Sequence, residues 1–294
     1  MTLLTRRVAL SGLAAAGLAA RIEPSWAQSG RLTAQEVFAQ IKVAIKQPWD
    51  PNANDDRIIF GSRATPVTGI ATCFYPSMDI LRQAQAAGLN YIITHECCFY
   101  ERSDDPGVST LRDDDITVTA KKKFAAANNM VFQRMHGHSH SLNGDVINVG
   151  LLAKLDWTRY RLDVPGRPLM RIPAASALEV GRHILRATGR RTLRMFGDPN
   201  RQVSTISLSA GQPGPNTQIG QIETAGVDAV VMGEAHEEEV LGYAQDLKHP
   251  TVIYLVGHSA EDFGMQLVAE WTQGVFPNLT SRWFAHADPY TNPV

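Results

Sequence analysis

Short apolar runs alternate with segments of helical pattern along this chain, and that alternation limits its fold more than any other feature. Val67–Cys73, Leu89–Thr94, Met130–Met135, Val227–Met232 and Thr251–Val256 are near-continuous apolar stretches of strand length. A run that is apolar at nearly every position fits a strand covered on both faces. Between the runs lie helices with legible ends. Thr33-Ala34-Gln35-Glu36 is a capping box, and the helix it opens carries Val37, Ile41, Ala44 and Ile45 on one face before Pro48 stops it. Pro76-Ser77 starts another, which runs through Ala87 and ends at Gly88. Further helices are expected through Lys121 to Asn128, then at Val146–Leu155, Ala177–Thr188, Thr217–Ala225, His236–Leu247 and Glu261–Trp271. Thr192–Phe196 and Thr205–Leu208 add strands. This alternation predicts a parallel α/β architecture. Pro165, Gly166, Pro168 and Pro173 break the stretch around Asp156–Ile172, which reads as the crossing between two halves, residues 28–155 and 156–294.

Three of the runs stop at histidine and carboxylate: His95-Glu96, then His136-Gly137-His138-Ser139-His140, then Gly257-His258-Ser259-Ala260-Glu261-Asp262. Imidazole and carboxylate are the ligand types for Zn, Mn, Fe or Ni, and ligands in open α/β folds gather at the carboxyl ends of strands. Taken alone, His95 could equally be a hydrogen-bonded structural residue. His136, His138 and His140 alternate, so an extended segment would aim all of them at one face, where each would need its own partner without a metal. Asn143 and Asp145 are the nearby candidates to orient them. Glu261 and Asp262 also suit the positive end of a helix, and His236 with Glu237, Glu238 and Glu239 reads mainly as a charged helix face. Together the clusters predict a metal centre.

At the N-terminus, Arg6-Arg7 precede an apolar stretch, Val8 to Ala20, that is too short for a permanent membrane span. Small residues follow around Ala27. This reads as a twin-arginine signal, residues 1–27, cut after Ala27, which places the mature chain in the periplasm or outside the cell without stable membrane insertion. The net charge of −1, with no basic block after the signal, argues against a nucleic-acid partner. Cys73, Cys97 and Cys98 cannot build a disulfide framework; burial beside a strand end is the plainer expectation for Cys97 and Cys98, with a role near His95 left open.

These motifs, in this order, resemble the Nif-three-like family, also catalogued as GTP cyclohydrolase one, type two. Asp56-Arg57-Ile58-Ile59-Phe60-Gly61 is similar to the family's early Asp-Asn-x-Gly-Leu-x-x-Gly. Ala84 to His95, with Gly88 and Ile92-Ile93-Thr94-His95, resembles its Ala-x-x-x-Gly-x-x-x-Ile-Ile-Thr-His-His-Pro. His136 and His140 stand where the family has His-x-x-x-Asp, with Asn148 and Leu151 in register. Gly226-Val227-Asp228, Gly233-Glu234, Gly257-His258-Ser259-Ala260-Glu261 and Asn292-Pro293 resemble its closing segments. The resemblance implies two packed α/β halves with a metal site between them, a dinuclear centre and a homo-oligomer, by resemblance a hexamer. It also implies metal ligands His95, Glu96, His140, His258 and Glu261. The departures are specific. Glu96 and Cys97 replace the second histidine and the proline, His140 replaces the aspartate, and Glu261 fits the closing glutamate if one residue is deleted, which keeps Phe263-Gly264 and Glu270-Trp271 in register.

A divalent ion with an open position acidifies water and polarises a carbonyl-type oxygen. Glu96, His136 and His138 are the candidates to move protons. The expected activity is hydrolysis of a C–N bond in a small cyclic amide, amidine or related heterocycle. Export argues against a nucleoside triphosphate, and no phosphate-cradling loop is present in the sequence. The alternatives are a metal-storage or metal-delivery protein without turnover, and a metal-dependent phosphoesterase. The export reading has a direct test. Replacing Arg6 and Arg7 together by lysine should leave the full-length chain in the cytoplasm, assayed by cell fractionation; normal export of that double variant excludes the twin-arginine route.

Overall fold

A computed structural model describes residues 30–49, 55–100, 104, 115–164 and 168–293. The expected signal segment and its cleavage point lie outside the described residues. Leu32–Val294 forms one compact unit. In chain order its elements are α1 (Ala34–Ile45), β1 (Ile58–Phe60), β2 (Ile70–Cys73), α2 (Met78–Ala86), β3 (Tyr91–Thr94), α3 (Ile116–Ala127), β4 (Val131–Arg134), α4 (Gly137–Ser141) and α5 (Val146–Lys154). There follow β5 (Leu169–Ser176), α6 (Ala177–Thr188), β6 (Arg194–Phe196), β7 (Gln202–Ser209), α7 (Pro215–Ile222), β8 (Ala229–Met232), α8 (Gly242–Asp246), β9 (Val252–Leu255), α9 (Asp262–Val275) and β10 (Ser281–Trp283). Among the described residues no helix is long and apolar enough to cross a membrane.

Two five-stranded sheets result, in the orders β1-β4-β3-β2-β10 and β5-β7-β8-β9-β6. In the first, β10, β2, β3 and β4 run parallel and β1 is antiparallel; in the second, β7, β8 and β9 run parallel between antiparallel edges. The strand period of two sorts the core into layers. Ile70, Tyr91, Ile93 and Val131 of one sheet, with Ile206, Val231, Val252 and Tyr254 of the other, face a shared core filled by α1, α5, α6 and α9. The opposite faces, through Ile92 and Phe132, or Val230 and Ile253, pack on outer clusters that hold α2 and Ala125 of α3, or α7 and α8. Every central strand is covered on both sides, which is why those runs are continuously apolar.

The capping box of α1 is present, with Thr33 Oγ1 accepting from Glu36 N and the Glu36 carboxylate reaching back to Thr33 N. Ser77 caps α2. The differences from expectation have local causes. Where one helix was expected over His236–Leu247, a π-helical turn, Glu237–Leu241, leads into the short α8. β1 and β10 are three-residue edge strands; β1 is apolar but too short to read as a strand, and β10 carries Ser281 and Arg282 and shows no apolar run. β5 holds Pro173 where its pairing with β7 shifts register; as an edge strand it can tolerate a missing N–H. The last described strand, β10, joins the first sheet beside β2.

The crossing of α5 and α9 fixes the spacing of this central layer. A Cβ on Gly150 would lie 2.5 Å from Gly264 Cα, and one on Gly264 would lie 2.6 Å from Ile147 Cα. Glycine is required there by contact, since both backbones touch. Gly264→Val should destabilise the fold by about 1–3 kcal/mol through overpacking. Gly274→Ala, in the same helix with nothing near its Cβ, should stabilise it by roughly 0.5–1 kcal/mol. Urea denaturation of both variants checks the pair, and equal effects would contradict a contact origin.

Candidate metal centre

Strand ends from both sheets deliver the site. β3 runs straight into His95 and Glu96. β4 leads through Met135 to α4, with His136 at its N-cap and His140 one turn later. β9 leads through Gly257, at φ 88°, into the 3₁₀ turn His258–Glu261. A 3₁₀ turn has three residues per turn, so side chains at i and i+3 eclipse. That places Glu261, rather than Asp262, over His258. Asp262 turns away and accepts from Phe74 N (3.2 Å), Trp283 Nε1 (3.0 Å) and His286 N (2.7 Å).

The segment His136–His140 is helical where an extended one was expected, and this changes which histidines meet. In a helix, residues i and i+4 share a face while i+2 points away. His136 and His140 accordingly lie with their ring centroids 5.3 Å apart. His138 faces the other way, with Nδ1 2.8 Å from Asp56 Oδ2, Nε2 3.1 Å from Pro48 O, and its ring stacked on Trp49. Both its nitrogens are engaged. The proton-transfer role expected of His138 does not fit this geometry; it anchors α4.

His95 sits at the centre, fully buried. Its Nδ1 is 2.9 Å from Ser139 Oγ, which lies 2.8 Å from Met135 O and 2.7 Å from His136 O. The hydroxyl proton goes to one of those carbonyls, so Ser139 accepts from His95 Nδ1–H. Burial pushes the imidazole pKa down against the pull of Glu261, which favours the neutral ring. Nε2 then presents a lone pair to Glu261 Oε2 at 3.3 Å. Both atoms are buried, and neither has an aligned hydrogen bond. Two acceptors confronting each other in the interior are unfavourable unless a cation lies between them.

The other imidazoles repeat the pattern. His140 Nδ1 is held by Asp145 Oδ1 at 3.1 Å, and His258 Nδ1 by Glu234 Oε2 at 3.2 Å. This leaves each Nε2 turned to the centre, where a carboxylate partner on the far nitrogen is the usual arrangement for a ligating histidine. His136 stacks on His95, centroids 4.4 Å apart, with Nε2 3.5 Å from Glu96 Oε1. His258 Nε2 is 3.5 Å from the same Glu96 oxygen and 3.2 Å from Glu261 Oε2. Among the described residues two groups could hold an ion: His95, His136 and His140, and His95, Glu96 and Glu261, each with ligand atoms within 4.8 Å of one another. The structure therefore brings together His95, Glu96, His136, His140, His258 and Glu261. Gly211 closes over them, at φ 68°, where any Cβ would strike the Glu261 carboxylate.

The charges are strongly coupled. Burial pushes the His258 pKa down, but Glu234, Glu261 and Glu96 outweigh it and raise it to about 12. Burial would raise Glu261, yet the neighbouring imidazoles bring it down to about 2. Glu96 is likewise held well below the usual carboxylate range, with His136 and His258 overcoming its desolvation. Cys97 lines the cavity beside the site, its thiol pKa raised first by burial, whereas Cys73 and Cys98 are buried. Sequence reasoning did not single out Arg134, which is buried against Glu96, or Tyr75 and Tyr100 in the cavity wall. An arginine closing an apolar strand was the one available signal; the tyrosines lie in loops without periodicity.

The family model for Duf34/NIF3 (NGG1p interacting factor 3) matches residues 36–289. The chain belongs to the Duf34/NIF3 family. Among solved structures it is similar to a Bacillus cereus protein related to NIF3, with 12% identity and a TM-score of 0.72 over 89% of this chain and 99% of that one. It is similar also to Staphylococcus aureus protein SA1388 (14% identity, TM-score 0.69, 89% and 99% covered) and to TTHA1606 from Thermus thermophilus (16%, 0.63, 88% and 99%). At such identities these matches establish the fold. No curated protein matches the chain.

The proton on His258 gives this site a testable pH dependence. In the metal-free protein its pKa is raised from 6.5 to about 12, so its pairing stabilises the fold fully below pH 6.5 and is lost as pH rises toward 12. A cation bound at Nε2 must displace that proton. Calorimetric titration with Zn²⁺ at pH 7, in buffers of different ionisation enthalpy, should show about one proton released per ion at this residue, and affinity that falls with falling pH. His258→Ala should abolish that release; unchanged release would exclude His258 as a ligand.

Proposed function

We propose that this protein is a metal-dependent hydrolase of a small molecule, acting on a C–N bond of a cyclic amide, amidine or related heterocycle. The carrying observation is that Glu261, whose Oε2 lies 3.3 Å from the buried His95 Nε2, lines a cavity of about 910 Å³ together with Glu96, His136, His140 and His258. That volume suits a small organic substrate. Phe74, Tyr75, Tyr100 and Pro213 supply apolar and aromatic wall, suited to a planar ring. A storage or delivery site has no need of such a chamber.

His95, Glu96, His140, His258 and Glu261 are the residues that would hold one or two divalent ions. When bound, the metal supplies Lewis acidity, polarising a carbonyl-type oxygen and acidifying water. The protein's own groups do the rest. His136, partly exposed in the cavity and 3.5 Å from Glu96, is placed to take up and hand on a proton. Phe74, Tyr75 and Tyr100 exclude water from one side of the bound ring. The arginine among the described lining residues, Arg134, is committed to Asp55 and Glu96, so a phosphate ester finds no available guanidinium among them. From the sequence resemblance we extend the proposal to a homo-oligomer, a hexamer as first expectation, and from residues 1–27 to export by the twin-arginine route.

Chelation should abolish turnover of a panel of cyclic amides and amidines, and one particular divalent ion should restore it. His136→Ala should lower kcat by roughly 10²–10⁴-fold; retained metal in that variant assigns His136 to proton transfer, and lost metal assigns it to the ion-holding group with His95 and His140. Stoichiometric metal with no hydrolysis across the panel would instead favour a delivery protein, and turnover confined to phosphate esters would favour a phosphoesterase.

A further inference from the structure

Arg134 is the last residue of β4 and is almost fully buried, at 2% exposure. A guanidinium enters a protein interior only with its donors engaged. Its Nε donates to His95 O at 3.3 Å, its Nη1 lies 3.2 Å from Asp55 Oδ1, and its Nη2 lies 3.2 Å from Glu96 Oε2. One rigid fork thus touches both members of the His95-Glu96 pair, the first through its backbone and the second through its carboxylate. The register of the sheet makes this possible, since Arg134 lies opposite Thr94, the residue just before that pair.

The consequence for Glu96 is specific. Its two oxygens are not equivalent: Oε2 is taken by Arg134, whereas Oε1 lies 3.5 Å from both His136 Nε2 and His258 Nε2. Glu96 also shares a close group with Glu261, and two neighbouring carboxylates repel unless a cation offsets one of them. Arg134 provides that offset without entering the ligand cluster. A lysine could supply the charge, but not the planar fork that contacts Glu96 and the His95 backbone together.

We infer that Arg134 is a positioning residue for the metal ligands: it locks Glu96 so that Oε1 alone is offered between His136 and His258, and it fixes His95 beside it. This rests on the metal-site part of the proposed function and not on hydrolysis. Co²⁺ titration of the purified protein, followed by visible absorption, tests it without any turnover measurement. R134M should bind Co²⁺ about 10–100-fold more weakly, the usual loss when a group that orients a ligand is removed, with an altered absorption band. R134K should recover part of the affinity but not the wild-type band. D55N, which leaves Arg134 in place and loosens one end of it, should shift both readouts less and in the same direction; it decides the matter if the Arg134 variants do not fold. A wild-type band and affinity in R134M, or in D55N where R134M does not fold, overturns the inference. So does a lowered melting temperature with an unchanged band. Failure of the wild-type protein to bind Co²⁺ overturns the metal reading together with it, whereas wild-type binding without hydrolysis removes only the hydrolase.

Discussion

A lone pair on a buried imidazole pointing at a buried carboxylate is the constraint on which the surrounding structure depends. His95 Nε2 and Glu261 Oε2 stand 3.3 Å apart without an aligned donor between them. His95 follows a strand of the first sheet, and Glu261 follows a strand of the second. Their approach requires both sheets to turn the carboxyl ends of their parallel strands toward one place. It also requires α9 to start close to α5, which the contact of Gly150 with Gly264 permits, and a loop after β7 with no Cβ at Gly211. A buried polar atom without a partner costs on the order of 1–3 kcal/mol; His95 Nε2 is such an atom, whereas Glu261 Oε2 faces His258 Nε2 at 3.2 Å, so a cation between His95 and Glu261 would satisfy the first and replace the proton that serves the second.

The orientation of the imidazoles comes from ordinary helix chemistry. Asp145, which holds His140, is also the N-cap of α5 and accepts from Asn148 N at 3.2 Å. Asn148 in turn accepts from Ala210 N at 2.7 Å, tying the cap to the end of β7 in the other sheet. On the far side of α4, His138 is clamped by Asp56 and Pro48. The ligand helix is therefore held from both sides. His140 cannot rotate without disturbing a helix cap, and His136 cannot leave without unstacking from His95.

Much of this was legible in the sequence, for a physical reason. Strands covered on both faces must be apolar throughout, so the central strands announced themselves, and the caps at Thr33 and Ser77 marked their helices. The residues at the strand ends were legible as a cluster because imidazole and carboxylate seldom gather without a task. The local geometry was not. An alternating His-x-His-x-His reads as extended, but Asp56 and Ser139 bind the segment as a helix, and only a helical turn separates His138 from its neighbours. The choice between Glu261 and Asp262 likewise depended on a 3₁₀ turn, whose i+3 spacing no sequence pattern specifies. Edge strands such as β10, polar and three residues long, carry no periodic signal at all.

The balance of charge around the centre bears on what it can accept. Glu96, Glu234 and Glu261 surround His258, and Asp55 stands at the cavity wall with Arg134 already paired to it. Without an ion the acids are offset by imidazolium, as the raised pKa of His258 records; with one, the cation takes over that role and the proton leaves. The ligand atoms are nitrogen and oxygen, and Cys97 keeps its proton because burial disfavours the thiolate. Such a set suits borderline and hard divalent ions such as Zn, Mn, Fe or Ni over soft Cu(I). The acids that attract the ion also disfavour an anionic ligand, since no unpaired guanidinium among the described lining residues offsets them.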